Sequence, residues 1–227
     1  MIGAKRAASI FFLTHPYRLV CNVDMDAKQS DLTRQKLLQA AFCEIHRRGF
    51  QAASIVNILA DTGLTKGALY HYFPTKQALG LAVIEEVVGE RLNGLVFKPL
   101  RDSERPVETL LEIIANVSRR VDAEYIRLGC PLNNLMQEMS PLDEAFKLQL
   151  NAVLTAWQKA AEDALERGRQ QGALRPEVDT KAAALFIVSA WEGCIGIAKN
   201  LQSLETFSLC MKQLHDYVVW LMVSPSK

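Results

Sequence analysis

Between Ser54 and Pro74 the sequence has room for only two helices of about two turns each, and helices that short do not hold together alone in water. Ser54 reads as an N-cap ahead of Ile55, Ile58 and Leu59, and Gly63 ends that segment. Thr65 caps a second segment, which Pro74 ends. A longer helix must therefore brace the pair. The preceding residues supply it, because Leu38, Ala41, Phe42 and Ile45 fall at i, i+3, i+4 and i+7, with Arg47 and Arg48 in the last turn and Gly49 as a stop. Two short helices joined by a glycine-containing turn and braced by a longer one form a helix-turn-helix.

The second short helix has two faces. Leu69 and Phe73, four apart, can bury against the bracing helix, which leaves Lys66, Gly67, Ala68, Tyr70 and His71 outside. A recognition helix reads base edges through its N-terminal residues, and small Gly67 and Ala68 let the backbone approach a groove floor. Lys66 offers a donor to guanine or phosphate. Tyr70, His71 and Tyr72 suit phosphate oxygens, and Ser54, Thr65 and Lys76 add capping amides and a cation. Tyr70, Tyr72 and Phe73 also fit a plain core aromatic cluster, a reading that the nearby Lys66, His71 and Lys76 weaken.

The run "SIVNILADTGLTKGALYHYFPTKQAL", Ser54 to Leu79, resembles the DNA-binding signature of the TetR family of bacterial transcriptional regulators, and residues 32–50 resemble its first helix. The match runs through Gly63, Thr65, Lys66, Gly67, Leu69, Tyr70, Phe73, Lys76 and Leu79. The resemblance implies base readers at Lys66, Gly67 and Ala68 and phosphate contacts at Ser54, Thr65, Tyr70, His71, Tyr72 and Lys76. Asn57 stands where an acid is common in the family, so a capping box there would be weaker.

The remainder reads as all-α. A connecting helix is expected from Lys76 to about Val96, broken by Pro99, and another from about Pro106 to Ile126. "SPLD", Ser140 to Asp143, reads as the start of a long helix running to Gly172. Two more follow, over residues 180–199 and 205–222, after the caps Asp179 and Ser203. The last carries Phe207, Met211, Leu214, Val218 and Leu221 at heptad-like spacing, and its neighbour presents Phe186, Ser189, Gly193 and Gly196 on one stripe. The pattern fits an intrachain bundle equally well. The family resemblance implies that these last two helices form a homodimer, which would offer two recognition helices to a palindromic operator on double-stranded DNA.

A small-molecule pocket in this part would draw on Cys130, Asn133, Asn134, Met136, Met139, Phe146, Trp157, Phe186, Trp191 and Glu192, although Met and Trp at helical spacing more often make ordinary core. In "RLGCPLNNLMQE", Gly129 ends one helix, Pro131 opens the next and Cys130 takes the N-cap. Backbone amides and Arg127 would there favour a thiolate. This element and "ALERGRQQGAL" resemble the branch of the family that contains the N-ethylmaleimide-responsive repressor, which implies an electrophile or redox switch at Cys130. A buried, inert thiol is the reading that the residues themselves favour.

Composition narrows the classes. A formal net charge of +1 hides an uneven split: residues 26–80 carry seven Lys/Arg against four Asp/Glu, and residues 81–227 sixteen against twenty. A basic head on an acidic body suits a local polyanion contact. The five cysteines (Cys21, Cys43, Cys130, Cys194, Cys210) are scattered, with no zinc-type spacing, which points to a reduced cytoplasm and no metal. No apolar run reaches the roughly 20 residues of a membrane span. No phosphate loop or catalytic triad order is present, the four histidines are dispersed, and no cofactor is expected. A helical interaction module or an enzyme without specific DNA binding is the alternative. The expected division is a disordered extension over 1–25, a DNA-binding domain over 26–79 and an effector-binding and dimerisation domain over 80–227.

Overall fold

The computed structural model describes residues 29–223, so the expectation for residues 1–25 lies outside it. Helix α1 spans Gln29–Arg48, α2 Ile55–Ala60 and α3 Lys66–Tyr72. Helix α4 runs unbroken over residues 76–102, and two of its stretches, Ile84–Gly89 and Asn93–Phe97, are wound as π-helix. Helices α5 (Pro106–Arg120), α6 (Ala123–Leu128), α7 (Pro131–Met139), α8 (Glu144–Gln170), α9 (Thr180–Leu201) and α10 (Leu204–Leu221) complete the described chain. Its one bridge of β type, Leu174 with Met222, pins the end of α10 to the α8–α9 loop.

The all-α class and the helix-turn-helix stand as expected, and several boundaries move. The α4 helix passes through Pro99 to Asp102 instead of ending before it. The wider π-wound turn immediately upstream gives room to a proline ring that would otherwise strike the carbonyl four residues back. The helix expected over 106–126 is two helices, because Asp122 caps a new start by accepting the Tyr125 N–H at 2.8 Å. The long helix starts at Glu144 rather than in "SPLD", since Asp143 is the cap and accepts from the Ala145 and Phe146 amides. At the same time α9 is a 22-residue helix apolar enough to cross a membrane by length and composition, which corrects the expectation from runs alone. Half of its apolar window is buried inside the chain, so its apolarity is at least partly that of a core helix.

The α1 stripe holds the head together. Leu38, Ala41, Phe42 and Ile45 are all buried, and Ile58, Leu69 and Phe73 join the same core. Gly63 sits between α2 and α3 with φ +67°, a left-handed conformation that a β-carbon disfavours. From α4, Arg91 stacks over Phe42 with its guanidinium carbon 4.0 Å from the ring centre, and Glu86 accepts from Arg34 of α1 at 2.6 Å. The body is a helical stack in which α8 packs on α4, α5 and α9, and α10 packs on α5 and α9.

Head and body meet at Phe50, whose ring lies 4.4 Å from that of Phe146 on α8, with Gly80 of α4 against both. A β-carbon at Gly80 would stand 2.5 Å from Phe50 Cε2 and 2.7 Å from Phe146 Cζ. Gly80→Ala is therefore expected to cost about 1–3 kcal/mol through overpacking. Gly94→Ala, where a β-carbon would meet nothing within 4 Å, should stay within about 1 kcal/mol of the parent. Urea unfolding of both variants checks the contrast, and equal midpoints would remove Gly80 from the joint.

Candidate nucleic-acid interface and regulatory body

Each short helix of the head is opened by a hydroxyl cap. Ser54 Oγ accepts the Asn57 N–H at 3.2 Å, Thr65 Oγ1 the Ala68 N–H at 3.1 Å, and Thr75 Oγ1 the Ala78 N–H at 2.9 Å. Asn57 does not leave the α2 cap weak. Buried Glu44 of α1 receives its side-chain amide at 2.8 Å and the Ser54 backbone N–H at 3.5 Å. The carboxylate that a capping box would place on α2 is thus supplied from the bracing helix. Nothing in the local sequence marks Glu44 for this, because its partners lie 10 and 13 residues away.

The outer row of α3 comes together as expected: Thr65, Lys66, Gly67, Tyr70 and His71 are exposed, and Ala68 and Tyr72 half-buried. Leu69 and Phe73 point inward. Lys76 is half-buried, donating to the Gln51 carbonyl at 3.1 Å, with its ammonium 4.8 Å from the centre of the Phe50 ring. Ser54 is half-buried at the opposite end of the motif. The arrangement is a short helix with its cap, a cation and a small residue foremost, and aromatic donors one turn behind.

In the body, Glu138 of α7 accepts the backbone N–H groups of Phe50 and Gln51, each at 2.8 Å, and so clasps the α1–α2 turn. His46 of α1, 8% exposed, donates from Nε2 to the Gly129 carbonyl at 2.8 Å. Burial is the main reason its pKa falls to about 4, so the imidazole is neutral and Nδ1 is a buried acceptor without a partner among the described residues.

Cys130 does take the N-cap of α7, but its side chain makes no capping bond. Burial, then the Glu192 carboxylate, pushes the thiol well above its ordinary value, outweighing the Asn133 and Leu132 amides. Arg127 is engaged with Glu124 at 2.6 Å. The expected thiolate is thus corrected to a buried thiol. Glu192 is 8% exposed and sits beside the Cys130 thiol, and neither of its oxygens meets a well-formed hydrogen-bond partner among the described residues. Its burial raises the carboxyl pKa to about 7.

Two family descriptions match the chain, "Bacterial regulatory proteins, tetR family" over residues 37–83 and "Tetracyclin repressor-like, C-terminal domain" over residues 106–214. The HTH-type transcriptional repressor DhaR of Mycobacterium sp. (strain GP1) is 26% identical over 178 residues, covering 77% of this chain and 87% of DhaR. Transcriptional regulator AcuR of Cereibacter sphaeroides is 30% identical over 175 residues, 76% of this chain and 79% of AcuR. The chain belongs to the TetR family of transcriptional regulators. The reduced form of NemR from Escherichia coli shares the fold, with a TM-score of 0.73 at 24% identity over 86% of this chain and 99% of that one.

Within this TetR-family body the other sequence expectations divide. Phe186, Ser189, Gly193 and Gly196 form an exposed stripe on α9. Phe207, Met211, Leu214, Val218 and Leu221 do not form an open seam, because all five are buried inside the chain itself, where α10 packs on α5 and α9. The exposed side of α10 instead carries Leu209, Val219 and Trp220. Tyr217 links the two helices, 4.7 Å from Phe186 and 6.3 Å from Trp220 between ring centres.

The residues expected around an effector are also spread out. Phe146 belongs to the head–body joint, Trp157 and Trp191 pack edge to face at 5.5 Å, Met139 is buried, and Met136 is half-buried. Of the set, Asn133 and Asn134 line the cleft described below. Cys194 and Cys210 are joined by a disulfide between α9 and α10, which corrects the impression of scattered cysteines: antiparallel helices bring together residues 16 apart in sequence.

The Glu192 carboxyl makes stability depend on pH. A folded pKa raised to about 7 gives a contribution that is fully present below the ordinary carboxylate range and is lost as pH rises through 7. Glu192→Gln should therefore match the parent near about pH 5 and exceed it by up to about 3 kcal/mol near about pH 8. Urea unfolding at the two pH values checks this, and a difference independent of pH would show that the group does not titrate in this range.

Proposed function

We propose that this regulator binds a palindromic operator as a homodimer and represses transcription, and that an effector acting on the body, a small molecule or a thiol-reactive compound, releases it. The row from Thr65 to His71 carries the reading. It is held on a helix too short to stand alone, in the part of the chain with net positive charge. The similarity to DhaR, a transcriptional repressor, supports the direction of control. The head comprises residues 26–79 and the body residues 80–227, and α4 crosses that boundary without a break, so movement in the body can reach the head. On this reading the bacterial cytoplasm is the compartment, and the chain is not an enzyme. Lys66, Gly67 and Ala68 read bases; Ser54, Thr65, Tyr70, His71, Tyr72 and Lys76 hold phosphates.

The dimer surface is the outer side of α9 and α10. Leu185, Phe186, Ile197 and Leu201 on α9, with Val219 and Trp220 on α10, are all at least 46% exposed, and an apolar patch of this kind marks an interaction surface. Small Ser189, Gly193 and Gly196 allow close approach of a second helix. Phe186→Glu combined with Trp220→Glu should yield a folded monomer in sedimentation velocity, whereas Phe207→Ala should lower stability, by about 3–5 kcal/mol, without altering the contact face. A charged double variant that stays dimeric would move the interface elsewhere.

Operator binding is tested by fluorescence anisotropy against duplex DNA from upstream of the protein's own gene, at two salt concentrations. Lys76→Ala should weaken all sequences alike and flatten the salt slope by about one unit. Lys66→Ala and Gly67→Val should change which sequence is preferred, by about 1–3 kcal/mol at the contacted base. Uniform loss in all three variants would overturn the assignment of base readers. Repeating the assay on protein alkylated at Cys130 decides the thiol route, which fails if affinity is unchanged.

A further inference from the structure

A cleft of about 620 Å³ opens where the head meets the body, walled by the end of α1, the start and outer face of α7, and the last turns of α9. That volume suits a small organic molecule. Ile45, Val83, Pro131 and Leu135 give it an apolar side. Its ionisable lining is unbalanced: Arg47, Arg48 and Lys199, with His46, against the single carboxylate of Glu138. Glu138 is already engaged with the Phe50 and Gln51 amides. Arg48 has a carboxylate outside the lining, Glu44 at 3.4 Å.

Of the cationic and ionisable groups that line it, Lys199 and His46 are those whose charge burial suppresses. The Lys199 ammonium donates to Asn134 Oδ1 at 2.8 Å, a neutral partner, and burial lowers its pKa. His46 lines the same cleft, and its Nδ1, buried with the rest of the ring, has no partner among the described residues. The charged groups that act on it are Arg91 from α4 and Lys199 from α9, both opposing its protonation, and Glu124 from α6, favouring it. Two groups able to carry positive charge thus line one cavity, and burial weakens the charge of each.

We infer that this cleft binds an amphipathic organic anion, its acidic group between Lys199 and His46 and its apolar body against Ile45, Val83, Pro131 and Leu135. The anion restores what burial removes, since a negative charge there favours the ammonium and lets the imidazole protonate, turning Nδ1 into a donor. Because α1 carries the helix-turn-helix and α7 clasps its turn through Glu138, a ligand seated between them changes the spacing of head and body. Its effect on DNA rests on the operator reading; its binding does not.

The test uses two probes with the same aromatic body, 8-anilinonaphthalene-1-sulfonate, which is anionic, and N-phenyl-1-naphthylamine, which is neutral. The sulfonate should bind the full chain saturably with one site per protomer, and Lys199→Met should weaken it about tenfold, the loss expected for one charge-assisted contact. The neutral probe should bind more weakly and be insensitive to Lys199→Met, whose fold is verified by circular dichroism. Saturating sulfonate should raise the His46 pKa, followed by imidazole NMR of the parent protein, by a unit or more above about 4. Equal sulfonate affinity in parent and Lys199→Met, tighter binding of the neutral probe, or an unmoved His46 would each overturn the site. Operator anisotropy with the sulfonate present separates the two readings: Lys199-dependent binding that leaves DNA affinity unchanged keeps the site and removes its role as the effector switch.

Discussion

Everything the head presents outward depends on the burial of Leu69 and Phe73 against α1. Helices of six and seven residues are well below the length at which an isolated helix is stable in water. Their caps contribute only about 1 kcal/mol each. What fixes α3 is therefore tertiary, and the orientation of Lys66 and Gly67 is a consequence of how α1 is held. Any displacement of α1 is passed to the outer row of α3.

How α1 is held is consequently the regulatory question. Arg91 and Glu86 of α4 grip its side, while Glu138 of α7 and Phe146 of α8 hold the turn that follows it. Two of these ties are polar, one is a cation over an aromatic ring, and one is aromatic packing around a glycine. They span from 49 to 96 residues of sequence and come from three different helices. The head is thus clasped by the body at several points rather than hinged from α4 alone, and a change in the relative placement of α4, α7 and α8 has a direct mechanical route to the outer row of α3.

The sequence was most legible where local rules act. Caps at Ser54, Thr65, Asp179 and Ser203, the α1 stripe and the glycine stops all reflect interactions within a few residues. Boundaries failed where a competing local signal existed: Pro99 looks like a terminator unless the π-wound turn before it is known, and "SPLD" contains two plausible caps of which Asp143 prevails. The heptad-like row on α10 is real in the sequence, but periodicity says only that a face is apolar. It does not say whether α5 and α9 or a second chain covers it. Glu44, Glu138 and Lys199 carried no signal at all, because each acts on residues distant in sequence that only the fold brings near.

The N-cap argument for Cys130 failed for a different reason, and the failure is informative about the seam. A helix N-terminus offers an anion at most about 2 kcal/mol, whereas burying an unpaired charge costs more than that. Burial therefore decides the state of Cys130, as it decides those of His46 and Glu192. The three groups cluster where α1, the α6–α7 turn and α9 converge, and two of them leave polar atoms without partners. Such groups weaken the structure locally, so this convergence is a low-cost place for the molecule to open or to accept a ligand that satisfies them. A regulator needs a part that is only just held, and here unpartnered polar atoms of His46 and Glu192 lie at the end of α1, the helix against which α3 is packed.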